Sequence, residues 1–470
     1  MVNYLDILAE TIRNNWDQPA LTDFYLTEDG KAQDTSRGNR YTYGEMYAEI
    51  VRVADFLTQL GLQAGDHIAI CGANSAHWVI SYLAIAKMQD VSVAIMHTLQ
   101  PDQIAQMINF SDAKALFIDK ELWEELKQQS LPRVASVIAL EDWIVLYGHR
   151  IRINDNNQLT INNDQCQFIH GELDELAMLC FTSGSSGKPK GVMLSYRNIH
   201  SSVRCVGDTY PVNKNRNTLA LISLSHLLGF GSTLVQLTKC CHIFILRQSN
   251  DFVRLPQIIW IVQPYVLFGV PQLLAIAAKM WNQKKMLFLE SFVVGGAVVS
   301  DVLCRQLKEV AFPLATGYGA TESSGTISLA SALSFREESS GKVVEGCSVS
   351  IAPNGEILVK GENVMLGYYK DPEATAQKID KDGWLHTGDK GHLDEDGYLY
   401  VEGRLEQDII VLPNGENIRP DAIESLINAL PEVSDSIVFA RDGHLIAIVV
   451  PPITNHQSPM RIYAAAYCVR

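Results

Sequence analysis

Residues 181–191 read FTSGSSGKPKG and directly follow the apolar run LAMLC at residues 176–180. The apolar run predicts a buried strand, and α/β proteins usually bind ligands at the carboxyl ends of such strands. Glycines let backbone N–H groups approach an anion, while hydroxyl groups and lysines supply donors and charge. The stretch therefore predicts a phosphate-binding loop in an α/β fold. A flexible polar surface loop is the alternative, since any Gly/Ser run fits one.

This loop differs from the P-loop of nucleoside triphosphatases. That motif requires a glycine five residues before its second glycine and a Ser or Thr after its lysine. Here Thr182 stands five residues before Gly187, and Pro189 follows Lys188. The loop thus predicts phosphate binding by a different motif.

Composition and charge narrow the class of protein. Of 470 residues, 47% are hydrophobic and 19% are charged, which fits a globular protein and excludes disordered, collagen-like and disulfide-scaffold chains. A chain of this length exceeds one hydrophobic core, so more than one domain is expected. The formal net charge of -15 argues against nucleic acid and anionic membranes as main partners.

The cysteines and the apolar segments predict a cytoplasmic protein. The nine cysteines are an odd number without a Cys-x-x-Cys pair, which favours reduced thiols. Residues 1–16 have no basic stretch before a hydrophobic block, so they do not resemble a signal peptide. Prolines and glutamines interrupt the most apolar region, residues 258–280, so no integral membrane segment is expected.

The order of elements predicts α/β units around largely parallel sheets. Residues 41–60 show helical periodicity with a capping-box pattern at Thr42 and Glu45. Similar helical segments alternate with short apolar runs that predict strands at residues 67–71, 91–96, 115–118, 242–246, 265–270 and 291–294.

The pattern of predicted elements changes from alternating helices and strands to strands at about residue 348. Hairpins are predicted around Asn354-Gly355 and Asp396-Gly397, so a smaller β-rich subdomain follows the two α/β ones. A helix at 420–430 and a second hairpin at 436–450 are predicted after Arg404.

Several segments in one order resemble the AMP-forming adenylating enzymes, which include acyl-CoA synthetases, firefly-type luciferases and peptide-synthetase adenylation domains. The resemblance covers nearly the whole chain, and the motif sequences are most similar to those of long-chain fatty acyl-CoA ligases. Besides residues 181–191, the matching segments are SLSHLLGFG from Ser223, FGVPQLL from Phe268, VVGGA from Val293, GYGATES from Gly317, GWLHTGDKGHLDEDGYLYVEGR from Gly383 and NGENIRPDAIE from Asn414.

This resemblance implies a fold and two domains. The fold class is α/β, with two α/β subdomains plus a small β-barrel-like subdomain in residues 1–403. A small, incomplete α+β carboxy-terminal domain is expected at residues 404–470, hinged near Glu406. Gly415 would lie in the loop that lines the tunnel for coenzyme A.

The same resemblance implies an ATP site. Making an acyl adenylate brings a carboxylate onto the α-phosphorus of ATP, so the site must neutralise charge and align both reactants. The expected ATP-binding residues are Thr182, Ser183, Gly184, Ser185, Ser186, Gly187, Lys190, Gly317, Tyr318, Gly319, Thr321, Asp389 and Arg404. Tyr318 would stack on adenine, Asp389 would accept hydrogen bonds from the ribose, and Glu322 would hold Mg²⁺.

The acyl site and the chemistry are assigned in the same way. Catalytic roles fall to Lys190, Thr321, Glu322 and His226, and the acyl substrate would contact His226, Gly295, Gly296 and Ala297. The implied reaction makes acyl-AMP and then acyl-CoA, releasing AMP and pyrophosphate. The thiol acceptor is coenzyme A or a carrier protein's phosphopantetheine, and the oligomeric state is left open.

Each of these residues also has a plainer interpretation. Tyr318 could be core packing, Glu322 a solvated carboxylate and Asp389 a turn former. Arg404 could be a surface charge, His226 a core histidine, and the glycines at 295 and 296 could serve tight packing.

Two departures from the family pattern carry expectations of their own. Family members end near a Gly-Lys motif whose lysine contacts the acyl carboxylate and the α-phosphate, and no segment in residues 451–470 matches it. A catalytically impaired nucleotide-binding or acyl-adenylate-binding protein is therefore an alternative function. Residues 87–90, KMQD, stand where small residues are usual in the family, which predicts local destabilisation at residues 88–90.

Overall fold

The structure is a computed structural model, and it describes most of the chain. The described residues are 3–148, 162–168, 171–182, 189–210, 215–247, 254–296, 299, 301–405, 410–411, 417–418, 420–428, 433, 435–441, 444–450 and 463–466.

Helices and strands alternate through the first three hundred or so residues, as the sequence predicts. The helices of the described part are α1 (Tyr4–Asn14), α2 (Tyr43–Gln59), α3 (Ala76–Lys87), α4 (Pro101–Phe110), α5 (Lys120–Leu126), α6 (Tyr196–Thr209), α7 (Leu227–Thr238), α8 (Leu255–Val262), α9 (Pro271–Gln283), α10 (Asp301–Glu309), α11 (Pro372–Lys378) and α12 (Pro420–Asn428). The strands are β1 (Pro19–Phe24), β2 (Arg40–Thr42), β3 (His67–Cys71), β4 (Val91–Ile95), β5 (Ala115–Ile118), β6 (Ser136–Ala139), β7 (Val145–Tyr147), β8 (Leu176–Thr182), β9 (Lys190–Ser195), β10 (Asn217–Ala220), β11 (His242–Leu246), β12 (Val266–Gly269), β13 (Ser291–Val294), β14 (Leu314–Tyr318), β15 (Ser328–Ala330), β16 (Gly341–Val343), β17 (Cys347–Ile351), β18 (Glu356–Gly361), β19 (Gly367–Tyr368), β20 (Leu385–Leu393), β21 (Tyr398–Arg404), β22 (Ile410–Val411), β23 (Asn417–Ile418), β24 (Asp435–Arg441), β25 (His444–Val450) and β26 (Tyr463–Ala466).

Two large sheets with parallel centres organise these elements. One has eight strands in the order β19-β9-β8-β4-β3-β5-β6-β7, and the other has thirteen in the order β17-β18-β20-β21-β16-β15-β14-β13-β12-β10-β11-β1-β2. Strands β4, β5 and β6 are buried along their whole length, as expected for apolar runs covered by helices on both faces. The mixed α/β fold class predicted from the sequence is confirmed.

The predicted β-rich subdomain is present, and its strands extend the larger sheet. From β14 onward the pairings β14–β15, β15–β16 and β16–β21 are antiparallel. The hairpin at Asn354-Gly355 joins β17 to β18, with Gly355 at φ +86, where glycine is favoured. The carboxyl ends of β10, β12, β13 and β14 share one edge because these neighbours are parallel.

The carboxy-terminal elements agree with the sequence as far as they are described. Strands β24 and β25 pair antiparallel, as predicted for residues 436–450, and α12 falls within the predicted helix. The boundary between residues 403 and 404 stays a prediction, and most of 451–470 lies outside the described residues.

None of the helices in the described ranges is long and apolar enough to cross a membrane. All eight cysteines in those ranges carry free thiols.

Asp90 is a buried carboxylate at the point where the sequence predicts destabilisation. Its side chain is 0% exposed, and the backbone N–H of Asp66 donates to Oδ1 at 3.1 Å. The other oxygen, Oδ2, has no hydrogen-bond partner among the described residues. Burial is the main cause that raises the pKa of Asp90 to about 7.

We expect Asp90→Asn to stabilise the protein most at high pH. Because the folded-state pKa lies above the unfolded value, the stabilising contribution of neutral Asp90 is complete below about pH 4 and disappears as pH rises through about 7. At pH 8 the gain should be roughly 2–4 kcal/mol, or about 2–4 °C in melting temperature. Melting curves of both proteins at pH 5 and pH 8 measure it. Asp55→Asn, on the exposed side of α2, is the control, and a gain independent of pH would contradict the prediction.

Candidate active site

The two strands that flank the predicted phosphate loop pair antiparallel. Strand β8 ends at Thr182 and β9 begins at Lys190, and these two residues face each other across the antiparallel pair. Residues 183–188, which include five of the predicted ATP contacts, lie outside the described residues. A strand–loop–strand connection also separates this motif from the P-loop, which leads into a helix.

Glu322 and Lys190 both contact the side chain of Tyr368. The Tyr368 hydroxyl donates to Glu322 Oε1 at 2.8 Å, and the Lys190 ammonium lies 4.9 Å from the centre of the Tyr368 ring. The Tyr368 ring is buried, and its backbone pairs with Val192 on β9. The segment around Tyr368 also holds the backbone at Glu322, because the N–H of Met365 donates to the Glu322 carbonyl at 2.9 Å.

Burial raises the pKa of Tyr368, and the Glu322 carboxylate beside it raises it further. Tyr368 therefore stays a neutral hydrogen-bond donor at physiological pH. Through Tyr368 the Glu322 carboxylate is held by a hydrogen bond and the Lys190 ammonium by contact with the ring.

Tyr318, Asp389 and Arg404 form a second group of polar side chains. The Tyr318 hydroxyl donates to Asp389 Oδ2 at 2.6 Å, and Arg404 Nε lies 3.2 Å from Asp389 Oδ1. The Asp389 side chain is 12% exposed, whereas that of Arg404 is 67% exposed. Asp389 is therefore more than a turn former: it is a buried acceptor fixed from two sides. Adenine stacking on Tyr318 stays a prediction.

Lys378 connects the two groups. Desolvation lowers the pKa of its ammonium most, while the charges of Glu322, Arg404 and Asp389 shift this pKa by smaller amounts. The structure thus shows Glu322 and Lys190 in contact with Tyr368 and Arg404 in contact with Asp389, while their roles in binding ATP stay predictions.

Close packing requires the glycines of GYGATE. A Cβ on Gly319 would lie 2.3 Å from the backbone carbon of Gly325, and one on Gly317 would lie 3.0 Å from the Leu329 side chain. Thr321 and Glu322 follow in a single 3-10 turn. Tight packing alone accounts for both glycines, so contact with adenine stays a prediction.

Two of the predicted acyl residues, His226 and Gly295, lie at the start of α7. His226 is the N-cap of α7, and its Nδ1 accepts a hydrogen bond from the N–H of Leu228 at 3.4 Å. His226 is exposed and is therefore no core histidine, although partial desolvation lowers its pKa below the usual value. A Cβ on Gly295 would lie 3.7 Å from both the Gly317 carbonyl and the Leu228 side chain.

Residues near His226 form a small apolar cleft. Gly296, at φ +80, lies just after β13, at the carboxyl end of that strand. The lining of the cleft is mostly aliphatic and aromatic: Leu194, Ile199, Ser202, Val203, Leu227, Phe230, Gly231 and Ser324. Ala297, the remaining predicted acyl contact, lies outside the described residues, as do Glu406 and Gly415.

Glu322 suits Mg²⁺ when phosphate oxygens complete the coordination. In the described ranges no three His, Cys, Asp or Glu side chains are grouped to hold a metal ion. Mg²⁺ typically binds one or two carboxylates together with substrate phosphates, and one carboxylate beside a phosphate loop meets that requirement.

Two residues of this site, Tyr368 and Lys378, were missed by the sequence analysis. Tyr368 lies in GYYKDPEAT and Lys378 at the end of the following helix, and neither segment has a composition that indicates a ligand. The available signal was only their position between GYGATES and HTGD.

Comparisons with known proteins show the family to which this chain belongs. A 4-coumarate–CoA ligase-like protein of Arabidopsis thaliana is 28% identical over 93% of this chain and 78% of its own. A medium-chain fatty-acid–CoA ligase of Escherichia coli is 27% identical over 90% of this chain and 79% of its own. The solved structure of a Mycobacterium tuberculosis fatty acyl CoA synthetase superimposes with a TM-score of 0.73 at 23% identity, covering 96% of this chain and 89% of its own, which shows the shared fold. Residues 8–369 match the family described as AMP-binding enzyme, and this chain therefore belongs to that family.

Proposed function

We propose that this protein activates a carboxylic acid with ATP, forming acyl-AMP and pyrophosphate, and then transfers the acyl group to coenzyme A with release of AMP. One observation supports the proposal: tyrosine hydroxyls hold both predicted carboxylates, Tyr318 that of Asp389 and Tyr368 that of Glu322, and Lys190 lies against the Tyr368 ring. The named relatives are CoA ligases, which supports coenzyme A as the acceptor in preference to a carrier protein.

Each residue of the site would have a separate role in adenylation. Asp389 would accept hydrogen bonds from the ribose hydroxyls and so fix the nucleotide. Lys190, at the base of the phosphate hairpin, would neutralise the β- and γ-phosphates that leave as pyrophosphate. Glu322 would hold Mg²⁺, whose positive charge would lower the repulsion between the phosphates and the attacking carboxylate.

A fatty acid is the substrate that we propose within the class of carboxylic acids. The cleft near His226 has a mainly apolar lining, but its volume of about 10 Å³ is far below that of a ligand pocket, so it does not show where an acyl chain binds. The relatives differ in the acids that their names give, 4-coumarate and medium-chain fatty acids, so the proposal rests on the resemblance of SLSHLLGFG (from Ser223) and NGENIRPDAIE (from Asn414) to long-chain fatty acyl-CoA ligases.

The test is an assay of both half-reactions. The protein is incubated with ATP, Mg²⁺ and fatty, aromatic and short-chain acids, and pyrophosphate release and acyl-CoA formation are measured with and without coenzyme A. We expect pyrophosphate release to depend on the acid and to be highest with fatty acids. ATP binding without acid-dependent pyrophosphate release would favour the impaired binding protein instead.

Tyr368→Phe should lower kcat/KM about 10-fold and raise the Mg²⁺ concentration needed for half-maximal rate. The variant removes the hydroxyl that orients Glu322, and losing an outer partner of a metal ligand typically costs 10- to 100-fold in metal affinity. An Mg²⁺ titration of the initial rate measures the effect. Tyr369→Phe is a matched control, because that neighbouring hydroxyl donates to Asp112, 2.9 Å away. An unchanged Mg²⁺ requirement would contradict the role of Tyr368.

A further inference from the structure

Lys378 and Arg404 direct their charged groups at one backbone oxygen. Lys378 is the last residue of α11 and is half-buried. Its Nζ donates to the Thr387 carbonyl at 3.0 Å, and Arg404 Nη1 donates to the same carbonyl at 3.3 Å. Two cations that share one neutral acceptor lie closer together than mutual repulsion favours.

Only one of these two cations has a carboxylate within ion-pair distance among the described residues. Arg404 has the Asp389 carboxylate at 3.2 Å. For Lys378, no carboxylate oxygen of the described residues lies within 4.0 Å of Nζ. An ammonium group has three N–H donors, and the carbonyl of Thr387 occupies one. Desolvation lowers the pKa of Lys378 more than the carboxylates of Glu322, Asp389 and Glu356, which act from a longer distance, raise it.

Gly388 leaves room beside both cations. A Cβ at this position would lie 3.8 Å from Arg404 Nη1 and 3.9 Å from Lys378 Nζ. The residue adopts φ +76, which favours glycine, and Asp389 follows directly. The space next to the two cations therefore adjoins the carboxylate assigned to the ribose.

We propose that Lys378 contacts the nucleotide phosphate nearest the ribose and, with Arg404, forms a two-cation phosphate site. The inference rests on the proposed function, in which Asp389 holds the ribose. Since the α-phosphate is bonded to the ribose, a nucleotide held by Asp389 brings that phosphate close to Gly388 and its two cations. The α-phosphorus is also the atom attacked by the substrate carboxylate, so positive charge here would stabilise the transition state.

A structural role for Lys378 predicts different behaviour. A lysine in the last turn of a helix interacts favourably with the helix dipole, and its bond to Thr387 ties α11 to β20. In that role, replacing Lys378 would change stability and would affect all nucleosides and nucleotides alike. A phosphate contact affects only ligands that carry phosphate.

The experiment compares AMP with adenosine by isothermal titration calorimetry. The full chain is tested as wild type, Lys378→Met and Lys378→Gln, with Lys381→Met, an exposed lysine three residues away, as control. We expect both Lys378 variants to weaken AMP binding about 10-fold and to leave adenosine binding within about twofold. The Gln variant keeps a hydrogen-bond donor without charge, so it serves if the Met variant fails to fold.

The outcomes separate the inference from the proposed function. If wild type binds AMP and the Lys378 variants bind it equally well, or lose AMP and adenosine to the same extent, the phosphate contact is wrong and the proposed function stands. If wild type binds neither AMP nor ATP, the proposed function itself fails. A loss confined to AMP, absent in Lys381→Met and reduced at high salt, supports the inference.

Discussion

Lys190→Met is expected to lower kcat/KM for acyl-adenylate formation by roughly 100- to 1000-fold, the usual loss when one preorganised donor to developing charge is removed. Lys190 begins β9 at the base of the phosphate hairpin and rests against the Tyr368 ring. Because the Tyr368 ring is buried and its hydroxyl is bonded to Glu322, the ammonium is positioned before ATP arrives. Methionine keeps the aliphatic packing and removes the charge alone.

Acid-dependent exchange of labelled pyrophosphate into ATP measures this step without coenzyme A. Lys342→Met is the matched control: Lys342 is an exposed strand lysine that lies 5.1 Å from the centre of the Tyr398 ring, outside the site. Lys190→Arg should retain part of the rate. A loss of less than about threefold in Lys190→Met, with unchanged melting temperature, would show that the reaction does not depend on this cation.

Local sequence patterns predicted the framework closely. The strands at residues 67–71, 242–246 and 291–294 have the predicted bounds, because each is a short apolar run bounded by polar or turn residues. The capping box also forms as predicted, with the Glu45 N–H donating to Thr42 Oγ1 at 3.2 Å. Such elements depend on residues only a few positions apart.

The remaining features depend on contacts between distant residues. Tyr318 and Asp389 are 71 positions apart, and Tyr368 and Glu322 are 46 apart. The resemblance placed Tyr318, Asp389 and Glu322 in one site, but it did not predict which hydroxyl holds which carboxylate. Nor did periodicity indicate that the β-rich strands continue the larger sheet, since strand order is set by tertiary packing.

Asp389→Asn should lower kcat/KM for ATP by about 30- to 100-fold. A hydrogen bond to a charged acceptor contributes roughly 1 to 1.5 kcal/mol more than one to a neutral acceptor, and two ribose hydroxyls would each lose that difference. The asparagine keeps the volume of the side chain and can still accept from Tyr318, so the packing around β20 should survive.

The ribose itself provides the decisive comparison. With 2′,3′-dideoxy-ATP the two hydroxyls are absent, so wild type should already lose most of what Asp389 contributes, and Asp389→Asn should change its rate less than about threefold. The preference for ATP over the dideoxy nucleotide should therefore fall by the same 30- to 100-fold in the variant. Glu402→Gln is the control, because the Glu402 carboxylate lies on the same hairpin but pairs with Lys390. This variant should leave the preference for ATP over the dideoxy nucleotide unchanged. Equal losses with both nucleotides would assign Asp389 to support of Arg404 and Tyr318, because only a carboxylate that contacts the ribose can distinguish a hydroxyl from its absence.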